Sequence, residues 1–160
     1  FGQTMMRQFL FDAYHFELLT RLVNSADERI AAIAAKSVKE VAYHVERSAG
    51  TVIALGDGNE ESHNRMQKAL NDQWSFAGEL FETDAGDLAL NAAGIAPLPS
   101  ELMANFDARV SEVFEDATLL CPETSFAHSG GRSGKRHSEH LGHLLTQMQW
   151  LQRAYPGATW

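Results

Sequence analysis

Residues 27–58, "DERIAAIAAKSVKEVAYHVERSAGTVIALGDG", set the strongest constraint on the fold. Ile30, Ala34, Val41, Val45 and Val52 recur at helical spacing with no proline among them, and the pattern stops only at Gly56-Asp57-Gly58, where glycine can take a left-handed C-cap. A helix over residues 27–55 would be roughly 40 Å long, at about 1.5 Å per residue. Its apolar stripe needs another long helix to cover it. Residues 3–24 offer one, with Met5, Phe9, Ala13, Phe16 and Val23 on one stripe. The break at Asn24-Ser25 before Asp27 is so short that the two helices must be antiparallel neighbours.

Three further segments carry the same period. Residues 60–82 hold Met66, Leu70, Trp74, Ala77, Leu80 and Phe81 behind a cap at Asn59 or Asp57, and residues 100–118 hold Leu102, Phe106, Val110, Val113 and Phe114. Residues 137–155 place Leu141, Leu144, Leu145, Met148 and Leu151 on one face and end at Pro156-Gly157. Between them, residues 84–91 suit one or two turns, "GIAPLPS" is a turn-rich connector, and residues 121–134 show no period. Nothing alternates as a strand does. The expectation is an all-α protein, one domain over residues 1–160, long enough to bury roughly 70% of the surface its unfolded chain exposes.

Hydrophobic residues make up 44% of the chain and no apolar run approaches a membrane span. The formal net charge of −8 argues against a nucleic-acid backbone as partner, since such binders concentrate Lys and Arg. A single cysteine, Cys121, cannot form an internal disulfide, and "FGQTMMRQFL" lacks the parts of a secretory signal, so a cytoplasmic location is expected. The chain opens on Phe1 with helical spacing already in place, which predicts that it begins inside a longer protein.

The residues with metal chemistry are histidines and carboxylates at helical spacing. Di-iron carboxylate bundles use one Glu from each of two helices and a Glu-x-x-His from each of two others, because side chains at i and i+3 converge beside the helix. In "RHSEHLGHLL" no Glu-x-x-His occurs, and Glu139 and His143 fall away from the face carrying His137. Those histidines are expected to cap and anchor the last helix. In "KEVAYHVE" the ligand spacing to His44 needs a carboxylate at 41, where Val41 stands; Glu40 lies one residue early, 100° round the axis. Asp12 sits within the apolar stripe of the first helix and must be paired or protonated, with Lys36, Lys39, Arg47 or His44 as expected partners. Glu60-x-x-His63 matches the motif formally, but in a first turn that favours acids anyway, and reads as a solvated turn.

"GGRSGKRH" departs from a phosphate loop at two positions. Arg132, Lys135 and Arg136 nevertheless form the most basic patch of an acidic chain, a contact for an acidic partner surface or a phosphorylated ligand, with His140 and Trp150 as neighbouring contact candidates. Trp74, Phe81, Trp150 and Tyr155 are read as apolar partner surface. Cys121 before Pro122 is read as incidental.

"FDAYHFELLTRL", "AAKSVKEVAYHVERS", "LGDGNEESHNRMQKALNDQW", "GDLALNAAGIA" and the closing "HSEHLGHLLTQMQWLQRAYPGATW" resemble the C subunits of bacterial phenylacetyl-CoA epoxidases, the ring 1,2-monooxygenases of aerobic phenylacetate breakdown. The resemblance implies a ferritin-like four-helix bundle lacking its first helices here. Residues 1–56 would be the third and fourth bundle helices and residues 57–160 a C-terminal helical extension. It also implies a structural, non-catalytic subunit without a cofactor, which pairs with the catalytic subunit that holds the di-iron site, in a complex fed from NADPH by a reductase subunit. Asp12, Glu40 and His44 would be vestiges of a metal site, with Val41 at the lost ligand position. The alternative is a stand-alone di-iron oxidase using Asp12, Glu40 and His44 with ligands from the missing segment.

Overall fold

The computed structural model describes residues 1–123, 127–132 and 134–159. Among them it holds seven α-helices: α1 (Gly2–Leu22), α2 (Glu28–Gly56), α3 (Glu60–Ala77), α4 (Ala85–Ala92), α5 (Met103–Asp116), α6 (His140–Met148) and α7 (Trp150–Ala154). Two 3₁₀ turns, Gly78–Phe81 and Pro99–Leu102, precede α4 and α5. The described residues contain no strand, so the fold is all-α as expected and consistent with a ferritin-like helical bundle. No helix among them is long and apolar enough to cross a membrane.

Local chemistry sets the boundaries. Asp27 accepts hydrogen bonds from the Arg29 and Ile30 amides and starts α2, and Asn59 rather than Asp57 caps α3 by accepting from the Ser62 amide. Asp84 and Asp87 exchange bonds with each other's backbone amides, a capping box that turns residues 84–92 into a true helix. The third predicted helix ends early because the chain tightens into a 3₁₀ turn after Ala77, which swings Phe81 inward.

Helices α1 and α2 form a long antiparallel hairpin, and α3 and α5 pack on its flank. Met6, Phe9 and Ala13 of α1 meet Val52 of α2, Met66 and Leu70 of α3 and Phe106, Val110 and Phe114 of α5 in one core. Residue 56 is therefore no packing boundary. Edge-on aromatic contacts link Tyr14 to Phe81, Phe81 to Phe106, and both Phe9 and Trp74 to Phe114. Phe81, expected on a partner surface, is a core residue instead, and Trp74, expected there too, is half-buried against the core. A second cluster, Leu19, Ala34, Val41 and Val45, seals the far half of the α1–α2 seam.

The last predicted helix is shorter and broken. Residues 134–139 are not helical, and Gln149 interrupts the run between α6 and α7. Neither helix packs substantially on anything but the other, so no tertiary face holds the run together. Residues 124–126 and 133 of the irregular stretch 121–134, together with 160, lie outside the described residues.

Candidate functional site

The carboxylate in the seam of the hairpin is the strongest candidate for chemistry. Asp12 is 2% exposed. Gln8, one turn earlier on α1, donates from Nε2 to Oδ1 at 2.6 Å, and Ser48 of α2 donates from Oγ to Oδ2 at 2.9 Å. Both oxygens thus have a protein donor, which is what a buried carboxylate requires. The carboxylate is paired as expected, but with different partners. Lys36, Lys39, Arg47 and His44 are all exposed on the outer side of α2, whereas Ser48, one turn beyond His44, points across the seam. A short hydroxyl fits there, and a long cation would have to give up its hydration to enter.

Around this pair the other candidates diverge. Val41 is buried in the seam, Glu40 and His44 are exposed, and no Glu-x-x-His pair is completed. His15 belongs to the site although it was not among the expected residues. It lies half-buried three residues after Asp12 and against the Phe11 ring at 5.4 Å. Desolvation pushes its pKa down, the Asp12 charge pulls it up, and proximity to His44 lowers it again. Asp12-x-x-His15 was the signal in the sequence: a carboxylate and a histidine at i, i+3, overlooked when only glutamate is sought. Among the described residues no three His, Cys, Asp or Glu side chains are grouped to hold a metal ion. With Val41 packed inward and both Asp12 oxygens engaged, these residues do not fit a di-iron centre.

The basic loop is built differently from an anion site. Arg132 reaches α4, where Nη1 and Nη2 each donate to Asp87 at 2.7 Å while Nη1 also donates to the Glu82 carbonyl. This fork holds the Asp87 carboxyl down to about 2 and raises Arg132 in turn. Arg132 is therefore spent inside the chain. The Gly131 amide donates to Glu79, and the Lys135 and Arg136 amides both donate to the Gly130 carbonyl, so the turn's donors are also engaged internally. The side chains of Lys135 and Arg136 are exposed and can meet an outside charge. Ser133, within the same motif, lies outside the described residues.

Histidines 137, 140 and 143 neither cap nor anchor the last helix. All three are exposed, and the residue before α6, Glu139, makes no capping bond. Trp150 is 61% and Tyr155 59% exposed. His63 is not simply solvated: its Nδ1 lies 2.7 Å from the Gly56 carbonyl and ties α3 to the end of α2. Burial, and next the Asp107 charge, push the Cys121 thiol up, away from the nucleophilic thiolate.

A second buried carboxylate also had no expected role. Glu17 accepts from Arg109 Nη2 at 2.9 Å and from Asn105 Nδ2 at 3.1 Å, and the Arg109 guanidinium lies over the Phe16 ring. It clamps α5 to α1.

The model of one protein family, described as phenylacetic acid catabolic protein, matches residues 1–160. The chain is also similar to the C subunit of the 1,2-phenylacetyl-CoA epoxidase of Escherichia coli (strain K12), with 44% identity over 160 residues that cover 100% of this chain. It spans 64% of that relative's length.

Proposed function

This chain belongs to the phenylacetic acid catabolic protein family, and we propose that it is a non-catalytic, structural part of a multicomponent phenylacetyl-CoA 1,2-epoxidase in the cytoplasm. In this reading it pairs with and stabilises the di-iron catalytic subunit, which carries out the ring oxidation with electrons passed from NADPH by a separate reductase. It holds no cofactor of its own.

The observation that carries the reading is the closed seam between α1 and α2. Asp12 is satisfied by Gln8 and Ser48, and Val41 fills the position from which a carboxylate would accompany His44. A centre occupied by such groups contributes rigidity, not redox chemistry. The relative's name supports a subunit role, and exposed Phe11, Ile33 and Tyr43 leave apolar area on the hairpin for a partner. Co-expression of the full-length protein with the catalytic subunit, followed by size-exclusion chromatography and iron analysis of each component, tests it. A joint peak with iron confined to the catalytic subunit is expected. Separate peaks, or stoichiometric iron and oxidase activity in this protein on its own, would favour the stand-alone oxidase.

A further inference from the structure

Between α2 and α5 the body of the protein is open along a groove. Ala42, Val45, Ala49 and Ile53 line it from α2, a single face that climbs three turns, or about 16 Å at about 1.5 Å per residue. Val113 lines it from α5. The groove is there because two of these positions are alanines. Ala42 and Ala49 stop at Cβ, so the space that longer side chains would take between the two helices stays empty.

The charge of the groove is one-sided. Glu46, Glu112 and Asp116 line it and are exposed, and among the described residues none of the three is in an ion pair. Arg109, the cation in the groove, already serves Glu17 at 2.9 Å and lies over the Phe16 ring. Three uncompensated carboxylates beside an apolar floor favour an occupant that is itself apolar on one face and cationic beside it. Both walls are α-helices, so the groove offers side chains and no strand edge. A straight apolar face of three turns matches the i, i+3/i+4, i+7 anchors of a helix laid along it.

The free parts of this chain do not supply that helix. α6 carries no Lys or Arg, α7 is five residues long, and Lys135 and Arg136 lie in non-helical chain ahead of both. A second copy would also bring a formal net charge of −8 to a surface that is already acidic. We propose that the α2–α5 groove receives an amphipathic helix of about three turns, with Lys or Arg beside its apolar stripe, from a different protein. That protein is the di-iron catalytic subunit of the reading above, on which this proposal rests. The helix lays its apolar side chains over Ala42 and Ala49, and its cations face Glu46 on one wall and Glu112 and Asp116 on the other.

Titration of the full-length protein with the catalytic subunit at several salt concentrations tests the groove. Glu112→Lys with Asp116→Lys should raise the dissociation constant about tenfold and weaken its salt dependence. Glu101→Lys with Glu123→Lys, the same change of charge at exposed positions that do not line the groove, should leave it within a few-fold. Ala42→Leu, which fills the groove from an exposed position, should weaken binding without loss of helical content by circular dichroism. Carbodiimide coupling in the native complex should join Glu46, Glu112 or Asp116 to lysines of one helix of the catalytic subunit. A complex of unchanged affinity in both the Glu112/Asp116 and the Ala42 variants would overturn the groove while leaving the subunit role standing. Absence of any complex with the unsubstituted protein would overturn the subunit role, and the groove's partner with it.

Discussion

Ser48 donates its hydroxyl to Asp12 across the α1–α2 seam at 2.9 Å, while the same Oγ lies 2.8 Å from the His44 carbonyl one turn back on its own helix. The single hydroxyl proton is shared between a carboxylate and a backbone acceptor, which fixes the rotation of α2 against α1. Ser48→Ala removes one donor from a carboxylate that no water can readily reach, and should cost about 1–3 kcal/mol of unfolding free energy. Asp12→Asn, which keeps the shape but removes the charge, should cost less than Asp12→Ala. Urea unfolding followed by circular dichroism measures all three, and an unperturbed Ser48→Ala midpoint would contradict the account.

His15 makes the same seam sensitive to pH. Its folded-state pKa lies below the ordinary value, so between that pKa and about 6.5 the unfolded chain binds more protons than the folded one. Stability therefore rises with pH across this window; the contribution is complete above about 6.5 and is lost as pH falls through the folded-state pKa. Thermal unfolding midpoints taken from pH 5 to 8 should show that slope, and His15→Gln should flatten it while leaving the pH 8 value little changed. A slope that persists in the variant would assign it to other groups.

The fold was legible where burial is periodic. The stripe through Ile30, Val41 and Val52, between the break at Asn24-Ser25 and the stop at Gly56-Asp57-Gly58, located α2 to within a residue, because a long helix in a core obeys its own period. Phe81 was misjudged because whether its ring turns inward depends on the 3₁₀ turn after Ala77, a feature without a sequence signature, and Trp74 because its edge-on contact is with Phe114 of α5, distant in sequence. The partners of Asp12 were hidden for a related reason. A buried carboxylate selects the donor with the right reach, and reach depends on the interhelical distance, so Ser48 prevailed over three cations whose charge alone recommended them. Arg132 was legible as a basic residue but not as a buckle, since Asp87 lies far from it in sequence.

That buckle gives a prediction at acid pH. The Asp87 pKa is depressed to about 2, below its usual unfolded value near 3.9, so the stability it lends is complete above about pH 4 and is lost as pH falls toward 2. At neutral pH, Asp87→Asn should mimic the acid state and cost about 1–2 kcal/mol locally, as expected for a charge-assisted fork that is partly exposed. Hydrogen exchange should then quicken at the Gly131 amide and in the first turn of α4, while the α1–α2 core keeps its protection. Equal loss of protection throughout would mean that the buckle supports the whole fold.

Two glycines of α2 should respond to alanine with opposite signs. At Gly56 a Cβ would lie 2.5 Å from the Ala117 carbonyl oxygen and 2.8 Å from the Ala117 Cβ, so the end of α5 would have to move, at a cost of about 1–3 kcal/mol. At Gly50 a Cβ meets nothing within 4 Å, and alanine in place of glycine within a helix should add about 0.5–1 kcal/mol. Denaturant midpoints should therefore fall for Gly56→Ala and rise for Gly50→Ala. The difference separates close helix contact from helix propensity, because both substitutions add the same methyl group to the same helix. If the two midpoints moved together, Gly56 would not be where α2 and the end of α5 touch.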